Sequence, residues 1–194
     1  MSQTFTAFKG LSRLASGPLS EVALAVQKAG PQAAEPIAIF SDATGRAVDL
    51  DLRGDERALS ARFAEPAAPP PAEEPASEEP RGRGRPKLGV VAREVTLLPR
   101  HWEWLNGQPG GASVALRKLV EEARRLNGDR DRERAAREAA YHFMSAIAGN
   151  LPGFEEAARA LFADNRRRFV SQIAAWPADI RDHLVKLAYS DRAE

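Results

Sequence analysis

The spacing of hydrophobic residues changes along the chain, from alternation near the amino terminus to a helical period of about 3.6 beyond residue 99. Thr4-Phe5-Thr6-Ala7-Phe8 alternates and predicts a strand. Gly10, Gly17 and Pro18 punctuate the next stretch, and Ser20 is placed to cap a helix from Glu21 to about Ala29, with Val22, Leu24, Ala25 and Val26 apolar. Pro36 precedes a second strand, Ile37-Ala38-Ile39-Phe40. Asp42-Ala43-Thr44-Gly45 reads as a turn, because Gly45 tolerates positive φ and Asp42 can bond the turn backbone. Val48, Leu50 and Leu52 then alternate with Asp49, Asp51 and Arg53, which predicts a hairpin strand with one buried and one wet face. Asp55 is placed to cap a short helix through Leu59 and Phe63.

Residues 65–80 break the pattern with a proline- and glutamate-rich run that cannot bury a core, and from Arg81 the charge turns basic. Glu94-Val95-Thr96-Leu97-Leu98 predicts one short strand, stopped by Pro99. A first helix carries Trp102 and Leu105, and Gly107-Gln108-Pro109-Gly110-Gly111 leads to a second that Ser113 would cap, with Ala115, Leu116, Leu119, Val120 and Ala123 at helical spacing. Asn127-Gly128 predicts a turn before a long helix to about Ala148. Further helices are expected after Pro152, from Arg166 to Trp176, and from Pro177. The fold class is therefore α+β, with a small α+β domain over residues 1–64, a linker over 65–90, and a mostly helical domain over 91–194 that opens with one strand.

Composition narrows the function. The chain has 194 residues, 43% of them hydrophobic, enough for a core. Its net charge of +1 excludes a uniformly basic nucleic-acid binder, so any such affinity must be local. The chain contains no cysteine, which removes disulfides, thiolate metal sites and cysteine nucleophiles. Asp42, Asp49, Asp51 and Asp55 lack a neighbouring histidine and are explained by turn, strand and cap roles, and His101, His142 and His183 have no metal-binding spacing. No nucleophile elbow, P-loop or dinucleotide fingerprint occurs. The reading is of a non-enzymatic protein with no cofactor and no metal. No apolar run approaches the ~20 residues of a spanning helix, and the amino terminus lacks a signal pattern, so no membrane partner and a cytoplasmic location are expected.

The candidate chemistry lies between residues 81 and 125. Arg81, Arg83, Arg85 and Lys87 alternate with glycine and proline in Arg83-Gly84-Arg85-Pro86-Lys87, as in an AT-hook. Such a stretch can lie extended in a narrow minor groove, its arginines drawn by the negative potential there. The adjoining strand–helix–helix pattern resembles a ribbon-helix-helix unit, which implies a homodimer through residues 94–120 built on a shared two-stranded ribbon. In that arrangement the DNA face is Arg93, Val95 and Leu97, or Glu94, Thr96 and Leu98 after a one-residue shift; free N–H groups at the Ser113 helix start could hold a phosphate, and Arg100 and Arg117 are further candidates. Leu116, Leu119 and Val120 would pack between the two copies. The expected partner is double-stranded DNA and the expected role regulatory. The competing reading is a protein-interaction scaffold whose basic stretch has no nucleic-acid role.

Longer stretches carry a wider likeness. Thr44 to Gly54, Gly84 to Val90, Glu94 to Leu105, Pro152 to Ala157 and Ala175-Trp176-Pro177 together resemble the bacterial family of unknown function DUF2239. That resemblance covers nearly the full length and implies no activity.

Overall fold

The computed structural model describes residues 3–30, 34–64, 91 and 93–189. Among the described residues four strands, β1 (Phe5–Lys9), β2 (Ser12–Gly17), β3 (Ile37–Ser41) and β4 (Ala47–Val48), and seven helices occur in chain order: α1 (Leu19–Ala29), α2 (Glu56–Phe63), α3 (Pro99–Asn106), α4 (Gly111–Ile147), α5 (Phe154–Phe162), α6 (Arg166–Gln172) and α7 (Ala178–Tyr189). The α+β class holds: a four-stranded antiparallel sheet precedes a mostly helical region. The chain divides into two compact units, residues 1–66 with 129–194, and residues 67–128.

In the first unit the strands order as β2-β1-β3-β4. Phe5 pairs with Gly17 on one side and Ser41 on the other, and Ile39 pairs with Val48. Central β1 is buried on both faces. Phe5 and Ala7 pack with Val22, Val26 and Ile39, on the side that α1 covers. Phe8 and Phe40 enter the larger cluster with Phe143 of α4, Leu161 of α5, Phe169 of α6 and Leu184 of α7. Phe143 meets Phe40 nearly edge-on, with ring centroids 4.9 Å apart, and Phe8 at 5.1 Å. Composition splits the chain at residues 64 and 91, whereas packing gathers the sheet and the C-terminal helices around this aromatic centre.

Local chemistry accounts for several boundaries. Asp55 caps α2 as expected, its carboxylate accepting from the Ala58 N–H at 2.8 Å. Ser20 is not a cap: α1 begins at Leu19 and Pro18 is its N-cap residue. The strand expected over residues 48–52 stops at Val48. Beyond it the backbone carbonyls are taken by side chains, Gln27 Nε2 donating to Leu52 and Gly54, and Arg62 Nη1 to Asp51 and Arg53. Leu50 and Leu52 still pack inward on the α1 side, so the alternation survives without a ladder. Asn127-Gly128 makes no turn, and α4 runs unbroken for 37 residues. A mid-helix glycine costs only about 1 kcal/mol relative to alanine. Ion pairs from Arg132 to Asp129 and from Arg134 to Asp131 and Glu138 follow that position along the helix.

Candidate nucleic-acid interface and the buried Asp42 cluster

Arg81, Arg83, Arg85 and Lys87 lie outside the described residues. Arg93 is exposed and lies in a segment, residues 93–98, that is exposed except at half-buried Leu97 and forms no strand. This corrects the expected strand Glu94 to Leu98: among the described residues no neighbouring strand offers that segment the backbone partners a ladder needs. Pro99 starts α3 as expected, with Leu98 as N-cap residue, and Arg100 is exposed in its first turn. Gly110 and Gly111, with φ of +87° and +75°, turn the chain into α4. Ser113 is therefore already inside the helix rather than its cap, a second correction. Arg117, one turn further on, donates from Nε to the Ser113 carbonyl at 3.0 Å. Ser113 and Arg117 are both exposed.

Leu105 of α3 and Ala115 of α4 are buried, while Trp104 stays 54% exposed and Trp102 36%. Two tryptophans two positions apart cannot share one helix face, and neither is fully covered. The charge of this stretch differs from that of the whole chain. Residues 81–118 hold eight Lys or Arg against two Glu, within a protein of net charge +1. Among the described residues, Arg93, Arg100, Arg117 and Lys118 have no carboxylate partner, while Arg124, Arg132 and Arg134 are held by acids three or four positions away.

A second cluster, invisible in the sequence, centres on Asp42. Its turn position suggests a carboxylate that serves the local backbone. Instead it accepts from Thr6 Oγ1 at 2.8 Å, Thr4 Oγ1 at 2.9 Å and Lys186 Nζ at 2.9 Å, tying the end of β3 to β1 and α7. His183 Nε2 lies 3.7 Å from Asp42 Oδ1, and neither ring nitrogen makes a hydrogen bond. The His183 ring is wedged between Phe143, at 4.6 Å, and Phe8, at 5.4 Å. Burial of that ring pushes its pKa down to about 4, outweighing the attraction of the Asp42 carboxylate; Lys186 and Arg13 add to the depression. Burial would raise the Asp42 pKa, but hydrogen bonds from Lys186, Thr6 and Thr4 outweigh it and hold the carboxyl below its ordinary value.

The Asp42 cluster is enclosed rather than open. Its side chain and that of His183 are 8% and 1% exposed, which leaves little of either for a substrate to touch. Among the described residues no group of three or more His, Asp or Glu is arranged to hold a metal ion, and no helix is long and apolar enough to cross a membrane. Asp49 and Asp51 line only a shallow surface hollow with Arg53. A further hollow is lined by Val26, Gln27, Glu35, Ile37 and Leu52, and residues 93–118 present exposed basic and aromatic side chains. No curated protein and no solved structure matches the chain. The model of the family described as an uncharacterized protein conserved in bacteria, DUF2239, matches residues 4–188, and the chain belongs to that family.

Proposed function

We propose that this is a non-enzymatic, regulatory DNA-binding protein that holds duplex DNA through the basic residues between 81 and 118 and acts as a homodimer through residues 94–120. The observation that carries the reading is the set of exposed cations Arg93, Arg100, Arg117 and Lys118, which have no carboxylate partner among the described residues and follow the Arg81–Lys87 hook in sequence. A cation already paired with a carboxylate has little positive potential left for a phosphate; an unpaired one keeps it. Arg83 and Arg85 supply the minor-groove grip, and the later arginines supply backbone contacts.

The deciding measurement is fluorescence anisotropy of a labelled A·T-rich duplex titrated with purified protein at several salt concentrations. Affinity should fall with salt, with a log–log slope of about −0.9 per neutralised phosphate. Replacing Arg83→Ala and Arg85→Ala together should weaken binding and flatten the slope by roughly two contacts. Absence of binding by the wild type at low salt overturns the reading in favour of a protein-interaction scaffold. That alternative is favoured by a separate observation, the exposure of Trp104, Val120 and Leu126.

A further inference from the structure

Two of the three tryptophans lie in α3 and differ in kind from the third. Trp176 is 4% exposed, and its indole Nε1 donates to the Pro152 carbonyl at 2.8 Å, so it is a core residue with its polar atom satisfied. Trp104 is 54% exposed, and among the described residues its indole N–H has no acceptor. The buried residue of α3 is Leu105. At about 100° per residue, Leu105 lies about 100° round the helix from Trp104 and about 140° from Arg100. Arg100 and Trp104 are four positions apart, so they share an outward face, with Cβ atoms roughly 5–6 Å from each other. Trp102 is nearly opposite Trp104 and does not belong to that face. Arg100 is exposed and has no carboxylate partner among the described residues, although Glu103, the one carboxylate of α3, is only three positions away.

We infer that Trp104 and Arg100 form a stacking site for one unpaired base and its phosphate, so that α3 takes single-stranded nucleic acid. The inference rests on the nucleic-acid reading above and adds a ligand to it, since the Arg81–Lys87 hook is the part assigned to duplex. Two observations select an unpaired strand. The first is charge complementarity. Residues 81–118 hold eight Lys or Arg against two Glu, which suits a polyanion. The second is the kind of group exposed. Residues 93–98 form no strand, so the ribbon that would reach base edges in a duplex groove is missing. What α3 offers instead is an indole face. In a duplex both faces of a base are covered by its neighbours, whereas in a single strand a face is free to stack. A nucleotide carries base and phosphate on one sugar, and a cation one helical turn from an aromatic ring meets both. Glu103 opposes the phosphate, which gives its removal a definite sign.

Anisotropy titrations of the full chain test this with three labelled probes: a thymidine strand and a uridine strand of about 12 nucleotides, and an A·T-rich duplex of the same length. The wild type should bind the single strands with quenching of tryptophan fluorescence, and the tighter of the two identifies DNA or RNA as the source. Trp104→Leu keeps helix propensity and apolar bulk but removes the ring. It should weaken single-strand binding about tenfold while duplex affinity changes less than about twofold. Trp104→Phe keeps an aromatic face and should retain most of the single-strand affinity, which a merely apolar contact would not distinguish from Leu. Glu103→Gln should raise that affinity by roughly two- to threefold in low salt. Circular dichroism checks that each variant keeps the wild-type helix signal. Single-strand binding undiminished by Trp104→Leu, or an equal loss on strand and duplex, overturns the inference alone, as does a wild type that binds duplex and neither strand. A wild type that binds none of the three probes at low salt overturns it together with the nucleic-acid reading.

Discussion

Gly45 lies against the backbone of Ala139, so closely that a Cβ built on it would overlap the Ala139 carbonyl oxygen. The glycine closes the turn after β3, its N–H donating to the Ser41 carbonyl at 2.7 Å, with φ at +64°. Beside it Arg46 Nη2 meets His142 Nε2 at 3.0 Å, so the turn is seated on α4 by backbone and side chain together. Gly45→Ala should therefore destabilise twice over, through the positive φ and through a backbone overlap that no rotamer change relieves. The loss should be about 2–4 kcal/mol, read as a lowered urea midpoint. Gly30→Ala is the control: a Cβ there meets nothing within 4 Å, and φ is −54°. That change should leave the midpoint level or raise it slightly.

The buried His183 makes stability depend on pH with a definite sign. Its folded pKa, about 4, is below the ordinary 6.5, so the fold favours the neutral ring. This contribution is complete above pH 6.5 and is lost as pH falls from 6.5 towards 4, because only the unfolded chain then takes up the proton. The full effect is of the order of 3 kcal/mol. Asp42 adds a loss at lower pH, as its depressed carboxyl is finally protonated. His183→Leu removes the titration without breaking a hydrogen bond, since neither ring nitrogen makes one. Urea unfolding of the variant should show a flatter stability profile between pH 6.5 and 4 and should exceed the wild type at pH 5. A variant with the wild-type slope would place the titration on another group.

Phe143 is the joint between sheet and helices. It is fully buried against Phe8, Phe40 and His183. Phe143→Ala should cost about 3–5 kcal/mol, the range for a large aromatic removed from a core. Circular dichroism should then show strand and helix signals lost in one transition, because both elements lean on the same ring. Residues 1–64 expressed alone should bind a hydrophobic dye, since Phe8 and Phe40 would have lost their cover.

Much of the local structure is legible in the sequence, because caps, turns and periodicity act over a few residues. Asp55, Pro99 and Gly45 do what their chemistry predicts. Features that depend on a distant partner are not legible in this way. Glu94 to Leu98 has a strand's alternation but no neighbouring strand among the described residues, and Val48 to Leu52 has the pattern but spends its carbonyls on Gln27 and Arg62. Polar β2 carries no strand signal of its own, because it is an edge strand with an uneven burial pattern, held by pairing to β1 rather than by its side chains. The Asp42–His183–Lys186 cluster joins positions more than 140 residues apart, and no spacing rule reaches that far. The basic stretch is legible as charge, yet only the structure separates arginines held by acids on their own helix from those that are not.

That separation yields the last prediction. Arg93 and Arg100 are exposed and unpartnered among the described residues, whereas Arg132 is held by Asp129 and Arg134 by Asp131 and Glu138. If phosphates are the ligand, a cation's worth depends on whether a carboxylate already occupies it. Arg93→Glu and Arg100→Glu together should reduce duplex affinity at least tenfold in about 50 mM salt and flatten the salt slope by about two contacts. Arg132→Glu and Arg134→Glu together make the same change in net charge, yet they should reduce affinity less than threefold, a difference of roughly 0.7 kcal/mol or more between the two pairs. Anisotropy titrations on one duplex, run side by side, separate the two cases. Equal losses in both pairs would mean that binding follows net charge alone and that residues 93–100 hold no site of their own.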